Sequence, residues 1–280
     1  RRQRQMCIRD RYVTVMNSFG RFRRENELLW EEVDSDLMVE YETYLKSRGV
    51  CPNTSSYYMR GLRAIYNRAV EKGKTVQREP FKYVYTGIDK TIKRAVPLKV
   101  IRQIRDLDLT LFPTMDFARD IFMFSFYTRG MSFIDMAYLK KKDLQGGTLS
   151  YRRQKTGQQL FVKWEKPMQE IVDKYNTNGT PYLLPIIRDM NADIRRQYKN
   201  AAHLVNDKLK KLGEKLGLTV PLTSYVTRHG WASIARSRNI PLAIISEAMG
   251  HDSEKTTRIY LASLDTTSVD KANSRILKAL

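Results

Sequence analysis

Hydrophobic residues in this chain recur every three or four positions, the period of an α-helix, through most of its length. In the first third they form two stripes, which predict two helices that end at Gly49 and at Gly73, with Pro52 opening the second. The stripes consist of Leu37, Tyr41, Tyr44 and Leu45, and of Tyr58, Leu62, Ile65, Tyr66 and Ala69. We therefore predict a small, basic, all-helical domain over residues 1–92.

A segment that is polar and basic and ends in proline, Lys90 to Pro97, follows this domain and is predicted to be a linker. The second domain is predicted over residues 97–280 and is again rich in helical periodicity. Its predicted helices are Leu98–Leu107, Phe117–Tyr127 with a more polar continuation to Leu139, Pro167–Tyr175, Asn191–Leu216, Thr227–Ser237, Leu242–Met249 and Thr266–Leu280.

One region of the second domain has the pattern of strands instead. Leu149–Arg153 and Gln159–Trp164 are predicted to be short strands joined through Lys155, Thr156 and Gly157, a sequence typical of a hairpin turn. The predicted fold class is therefore mainly α, with a helical first domain. The second domain is mixed α/β, mostly helical with one small antiparallel sheet.

Positive charge is in excess over most of the chain. The 280 residues include 50 Lys and Arg against 30 Asp and Glu, a formal net charge of +20. Residues 1–24 carry +7 and residues 25–42 carry −8, so residues 43–280 hold an excess of +21. Basic residues that recur across both domains are typical of a surface that binds a polyanion, above all nucleic acid.

Several function classes are excluded by what the sequence lacks. Its two cysteines, Cys7 and Cys51, form no CxxC or Cys/His cluster, which argues against a disulfide scaffold and a cysteine-based zinc site. No run of eighteen apolar residues predicts a membrane span, and with no signal-peptide pattern we expect a cytoplasmic protein. Glycine-rich nucleotide motifs are absent. Because the chain begins at Arg1 without methionine, we expect a further segment upstream.

Residues suited to chemistry on a phosphodiester lie near the C-terminal end. Arg228 lies at the start of a predicted helix, His251 follows a glycine turn, and Tyr260 comes nine residues after His251. Attack on a phosphodiester builds negative charge in the transition state, which a metal-free enzyme must neutralise with Arg, His or Lys donors. A tyrosine phenol can be the nucleophile, and a protonated lysine such as Lys155 can supply the leaving hydroxyl with a proton.

On these residues the chain resembles the tyrosine recombinase (phage integrase) family. The H-x-x-R box of the family matches Tyr225 to Arg228, and its Leu-Gly-His box matches Met249 to His251. The nucleophile of the family matches Tyr260 and its hairpin lysine matches Lys155. The helical N-terminal half is similar to the core-site-binding domain of the family, so the resemblance covers nearly the whole chain.

Two sequence features are similar to those of integrases of mobile elements from the Bacteroides group. They are the run from Gly130 to Asp135 (GMSFID) and the tyrosine at position 225 in place of histidine. In such proteins a separate arm-site-binding domain would be expected upstream of this chain.

The resemblance implies a site-specific recombinase that cuts and rejoins double-stranded DNA through a 3′-phosphotyrosine on Tyr260. Arg228 and His251 would hold the scissile phosphate, and Lys155 would protonate the leaving 5′ oxygen. No metal, ATP or other cofactor is implied. The resemblance implies a complex of four protomers on two DNA duplexes. The oligomeric state of the free protein is left open, and a monomer is one option. Accessory DNA-bending or directionality proteins are further implied partners. A closing helix over Asp265–Leu280 would dock on a neighbouring protomer, with packing inside the chain as the alternative.

Two positions depart from the pattern of the family. Ser132 occupies the slot of its first arginine, three residues before Asp135. Arg129 lies one helical turn earlier, so we predict that it reaches the same phosphate, the alternatives being an ion pair with Asp135 or a plain phosphate contact. Tyr225 can form a hydrogen bond with a phosphate but brings no positive charge at neutral pH, and packing or orienting Arg228 is the alternative for it.

Other readings stay open at this point. Ser132 leaves room for a DNA-binding accessory protein that kept the fold and lost catalysis, and a type IB topoisomerase would use the same chemistry without strand exchange. His229 is either a further donor or structural. Trp231 is predicted to lie in the core, and His203 on a helix surface without a role.

Overall fold

The computed structural model describes residues 2–24, 26–89, 95–251, 253–261 and Leu277, and of residues 2–10, Lys255, Ile259 and Tyr260 it describes the backbone alone. The chain divides into two compact units, residues 1–91 and residues 92–280. The described part is mostly helical and holds one three-stranded antiparallel sheet, which confirms the predicted fold class.

The described part of the first unit is built from three helices, α1 (Arg2–Arg23), α2 (Ser35–Ser47) and α3 (Pro52–Glu71). The Asp34 carboxylate caps α2 by accepting a hydrogen bond from the backbone N–H of Leu37 at 2.8 Å. Their apolar faces enclose one core, which includes Val15, Phe19, Met38, Tyr41, Met59, Leu62 and Tyr66. The two helices predicted from apolar stripes in this region are thereby confirmed.

The second unit is built around one strongly apolar helix. In chain order the described helices are α4 (Leu98–Arg105), α5 (Pro113–Tyr127), α6 (Phe133–Ala137), α7 (Lys166–Asp173), α8 (Ile194–Lys215), α9 (Val226–Ser237), α10 (Leu242–Ala248) and α11 (Glu254–Leu261). Helices α4, α7, α8 and α9 all pack against α5, which is buried from Phe117 to Ser125 apart from one position, Arg119. A helix apolar on nearly every side must lie at the centre of its unit.

The sheet consists of β1 (Leu144–Gln145), β2 (Thr148–Arg152) and β3 (Gln159–Lys163), in that order. Opposite residues Leu149 and Val162 face the core, as do Tyr151 and Leu160. The predicted hairpin is confirmed. The strand β1 was not predicted, because two residues are too few to carry an alternating pattern.

The helical continuation predicted from Tyr127 to Leu139 is right only for α6, Phe133–Ala137, and wrong where a turn separates α6 from α5. Helix α5 ends at Tyr127, and Arg129 and Gly130 both adopt the left-handed conformation, with φ of +63° and +76°. The N–H of Gly130 donates to the Ser125 carbonyl at 2.8 Å and closes the helix end. Met131, next to this turn, is buried. Its side chain continues the apolar pattern of the sequence, so the pattern alone does not reveal that the helix ends.

Some predictions concern single residues or the ends of segments. Trp231 is half-buried and packs against a small apolar cluster on α9 and α10, and His203 is exposed on α8. The predicted helix Thr266–Leu280 lies outside the described residues except for Leu277, and so do residues 90–94 of the predicted linker.

Candidate active site

Arg228 lies in the first turn of α9 and is 4% exposed. Its guanidinium donates through Nη1 to the carbonyl oxygen of Gly130 at 2.8 Å and through Nη2 to that of Met249 at 2.5 Å. Both acceptors are neutral, so these two bonds orient the guanidinium without neutralising its charge. Three segments distant in sequence thereby meet at one cation: the turn after α5, the start of α9 and the end of α10.

The close approach of α5 and α9 depends on a glycine. A Cβ atom at Gly130 would lie 2.7 Å from the Cα atom of Arg228. The hydroxyls of Ser125 and Thr227, both fully buried, form a hydrogen bond of 2.7 Å between the two helices. Backbone proximity and this buried polar pair together set the position from which Arg228 extends.

His251 lies just after α10, where Gly250 adopts a φ of +62° and turns the chain. The ring is buried, and its Nδ1 atom is 2.7 Å from the hydroxyl oxygen of Thr257 on α11. Burial and, after it, the charges of Arg228, Arg153 and Lys155 lower the pKa of His251 from 6.5 to about 4. The ring is therefore neutral near pH 7, and the three cations that act on it mark one site.

Arg153 belongs to that site, and the sequence analysis did not single it out. It is 7% exposed, and its Nη1 atom donates to the carbonyl oxygen of Gly250. Among the described residues no carboxylate pairs with it, and its Nε atom is buried without a hydrogen-bond partner. Strand alternation supplied a signal, because Leu149, Tyr151 and Arg153 occupy successive inward positions. Burying an arginine at an inward position costs folding free energy unless its charge binds an anion.

The hairpin loop places further polar groups beside Arg153. Lys155 is exposed at its tip, while the Thr156 hydroxyl oxygen and the Gln158 Oε1 atom are buried without partners among the described residues. Buried polar atoms normally find partners, so two such atoms beside the buried guanidinium of Arg153 are typical of a site for a polar ligand.

Ser132 is held by a network that anchors this hairpin. Its hydroxyl donates to Asp135 Oδ2 at 2.5 Å, and Asp135 Oδ1 accepts a hydrogen bond from the backbone N–H of Gln154 at 2.8 Å. Asp135 is 4% exposed. The Ser132 slot thus contributes to positioning the loop next to Lys155 rather than presenting a cation.

Arg129 does not share a helical face with Ser132, because the chain between them is a left-handed turn. Its side chain is half-buried, and its Nη1 atom donates to the carbonyl oxygen of Phe161 on β3 at 3.2 Å. Its charge still reaches the site: Arg228, Arg153 and Arg129 all act to lower the pKa of Tyr151, which burial raises. Arg129 thus lies at the edge of the cationic site.

Tyr225 precedes α9 and is 54% exposed. Its ring packs edge-to-face on the buried ring of His229, with centroids 4.9 Å apart. Tyr260 lies in α11, the helix that also carries Thr257, but the side chain of Tyr260 is outside the described part of the structure. The proximity of its phenol to the other predicted site residues therefore stays a prediction.

The described residues contain no group of three or more His, Cys, Asp or Glu side chains that could hold a metal ion. They also contain no helix long and apolar enough to cross a membrane. The chemistry that the described site can supply is the concentrated positive charge and hydrogen-bond donation of Arg228, Arg153, Lys155 and His251.

Two family models match the sequence and together cover most of it. The model of the phage integrase SAM-like domain matches residues 1–91. The model described as the phage integrase family matches residues 113–267, more than half of the chain, and this match includes every predicted site residue.

Individual proteins agree with these models. The chain is 26% identical to the tyrosine recombinase XerA of Pyrococcus furiosus over 178 residues, which are 62% of this chain and 58% of that protein. It is 25% identical to the tyrosine recombinase XerC of Syntrophus aciditrophicus over 278 residues, covering 91% of this chain and 86% of the relative. A lambda integrase tetramer bound to a Holliday junction shares the fold, with a TM-score of 0.67 at 14% identity, covering 89% of this chain and 70% of that one.

Proposed function

Because the chain belongs to the phage integrase family, we propose that it is a site-specific DNA recombinase that cuts and rejoins strands through a 3′-phosphotyrosine. The observation that carries the proposal is the meeting of Arg228, Arg153 and Lys155 around the buried ring of His251. A phosphate bound there would meet several hydrogen-bond donors and positive charges at once, as the transition state of phosphodiester cleavage requires.

In this mechanism Tyr260 Oη gives up its proton to solvent and attacks the phosphorus as the bond to the 5′ oxygen breaks. Arg228 and Arg153 neutralise the non-bridging oxygens, which gather charge in the transition state, and His251 donates a further hydrogen bond. Lys155, exposed at the tip of the hairpin, protonates the 5′ oxygen as it leaves. The ester conserves the energy of the broken bond, so a 5′-hydroxyl from a partner strand can reverse the step without ATP or a metal.

Arg153 takes over, in this proposal, the role that the sequence analysis gave to Arg129. Arg153 is buried beside His251, whereas the guanidinium of Arg129 bonds to the backbone of β3. Tyr225 is exposed enough to meet DNA, and its contact with His229 gives it a second way to act, by packing at the start of the helix that carries Arg228.

The DNA partner and the assembly are proposed on the same basis. A net charge of +20 suits a duplex, and the lambda integrase with which the chain shares its fold forms a tetramer on a Holliday junction. We propose the same stoichiometry here, four protomers on two duplexes, with accessory DNA-bending or directionality proteins. The GMSFID run from Gly130 and the tyrosine at position 225 support a mobile element of the Bacteroides type as the source, and a reaction on bacterial DNA would take place in the cytoplasm.

The test is covalent trapping on a nicked suicide duplex that carries the end sequence of the element encoding this chain. The wild-type protein is expected to form a DNA adduct that survives denaturation, and Tyr260→Phe is expected to bind the duplex but form none. Tyr138→Phe is the matched control, because it removes a hydroxyl from a tyrosine packed against the rings of Tyr182 and Tyr198.

The rival functions are outcomes of the same test. Binding by the wild-type protein without an adduct would identify a DNA-binding accessory protein. An adduct accompanied by relaxation of supercoiled DNA, but without recombinant product, would identify a topoisomerase.

A further inference from the structure

Thr257 is a buried polar residue to which neither the sequence nor the proposed mechanism assigns a task. It lies in α11, three residues before Tyr260, and its side chain is fully buried. Its hydroxyl oxygen lies 2.7 Å from His251 Nδ1, and this is the one hydrogen bond that the hydroxyl makes with the described residues. The contact joins the turn that carries His251 to the helix that carries the proposed nucleophile.

A neutral imidazole has one N–H and one bare nitrogen, so this hydrogen bond has two possible directions. If Nδ1 carried the proton, it would donate to the threonine oxygen, and the buried threonine hydrogen would have no acceptor. If Nδ1 is bare, the hydroxyl donates to it and no buried donor is left unsatisfied. An unsatisfied buried donor costs about 1–3 kcal/mol, which favours the second arrangement.

We propose that Thr257 is a positioning residue that donates to His251 Nδ1 and thereby keeps the ring proton on Nε2. His251 then offers a phosphate oxygen a neutral N–H donor, and it has no bare Nε2 with which to act as a base. The tautomer is inferred from the contact between Thr257 and the neutral ring of His251, while its importance for DNA cleavage rests on the proposed function.

The surroundings of the ring fit this arrangement. Burial opposes a second proton on His251, and the charges of Arg228, Arg153 and Lys155 oppose it further, so its pKa is low and the ring is neutral near pH 7. A bare Nε2 would meet a phosphate oxygen lone pair to lone pair, which is repulsive. With the proton on Nε2, the same ring stabilises the phosphate without adding to the charge of three nearby cations.

The first experiment observes the tautomer directly in the full chain. The sequence has only three histidines, so a two-bond ¹H–¹⁵N correlation spectrum can be assigned by loss of one signal set in His251→Gln. At pH 7 the bare nitrogen of His251 is expected to be the one that shows no strong coupling to Hδ2, which is Nδ1. A bare Nε2 would overturn the proposal, whether or not the protein cleaves DNA.

The second experiment measures the consequence. Thr257→Val removes the hydroxyl at nearly constant shape, and it is expected to mix the tautomers and slow single-turnover cleavage of the suicide duplex about three- to tenfold, at unchanged DNA affinity. Thr257→Ser retains the hydroxyl and is expected to restore both readouts. Thr256→Val is the matched control, since Thr256 is its exposed neighbour on α11, and it is expected to behave as the wild type.

Loss of the donor to Nδ1 also removes a bond to the neutral ring, so the pKa of His251 should rise and its NMR titration should move to higher pH. A valine variant with the wild-type tautomer, rate and NMR titration would refute the role of Thr257. If the wild-type protein forms no adduct at all, the proposed function fails, while the spectrum still decides the tautomer. If the valine variant does not fold, the wild-type spectrum and the serine variant carry the test.

Discussion

Replacing Gly130 with alanine tests whether the site depends on the close approach of α5 and α9. The residue has a φ of +76°, where an L-residue is less stable than glycine by about 1–2 kcal/mol. Its new Cβ atom would also lie 2.7 Å from the Cα atom of Arg228, an overlap with backbone that a rotamer change cannot relieve. Overpacking of this kind costs about 1–3 kcal/mol. The expected loss of unfolding free energy is therefore about 2–5 kcal/mol.

Gly147→Ala separates the two contributions. Gly147 has a φ of +71°, nearly the same as Gly130, but a Cβ atom there would have no atom within 4 Å. Gly147→Ala is therefore expected to lower the unfolding free energy only by the conformational contribution, about 1–2 kcal/mol. The difference between the two variants measures the overlap with Arg228.

Urea unfolding followed by tryptophan fluorescence is the assay. The chain has three tryptophans, and a Trp30→Phe background leaves Trp164 and Trp231, so the signal reports the second unit alone. Gly130→Ala is also expected to reduce adduct formation by at least about tenfold, because shifting α9 by a few tenths of an ångström moves Arg228 away from the phosphate. Equal stability losses in the two variants, with adduct formation unchanged, would refute the reasoning.

Three further predictions concern the charges of the site. As pH falls, the unfolded chain protonates His251 near pH 6.5 and the folded protein only near pH 4. The contribution of His251 to the unfolding free energy of the second unit should therefore be constant above pH 6.5 and should fall as the pH drops from 6.5 to about 4. His251→Gln should reduce this dependence on pH. Arg153→Ala is expected to lower the rate of adduct formation about 10²- to 10³-fold, as for loss of one transition-state donor. Asp135→Asn removes the carboxylate that accepts from the Gln154 N–H, and it should cost about 1–3 kcal/mol of unfolding free energy and slow cleavage through a displaced hairpin.

Each of these has its own control or contrary result. The pH dependence is measured by urea unfolding in a series of buffers, and an identical slope in wild type and His251→Gln would show that other groups cause it. For Arg153, the adjacent exposed Arg152 is the matched control. Arg152→Ala should change the DNA affinity and leave the single-turnover rate nearly unchanged. For Asp135, an unchanged urea midpoint together with an unchanged cleavage rate would show that its hydrogen bonds do not position the loop.

Motif spacing located Arg228 and His251, two of the residues that the structure brings together in the second unit. Arg228 and His251 were found because chemistry on a phosphate demands certain residue types, and short boxes keep them at fixed distances along the chain. Lys155 was predicted from its place in a hairpin sequence. Helical periodicity and strand alternation also predicted most helices and two of the three strands, because both patterns record which face of a local element is buried.

Tertiary structure decided what local patterns do not record. Arg153 bonds to Gly250, 97 residues away, and Arg228 bonds to Gly130, 98 residues away. The break after α5, hidden by a buried methionine, removed Arg129 from the face on which the sequence had placed it.

The amino-acid sequence thus determined by itself the types of most elements, and it predicted Arg228, His251 and Lys155 as site residues, since periodicity and motif spacing act over short stretches of chain. Which buried charges meet was decided by packing, because it brings the carbonyl of Gly250 to Arg153 and the backbone of Gly130 to Arg228, across about a hundred residues of chain.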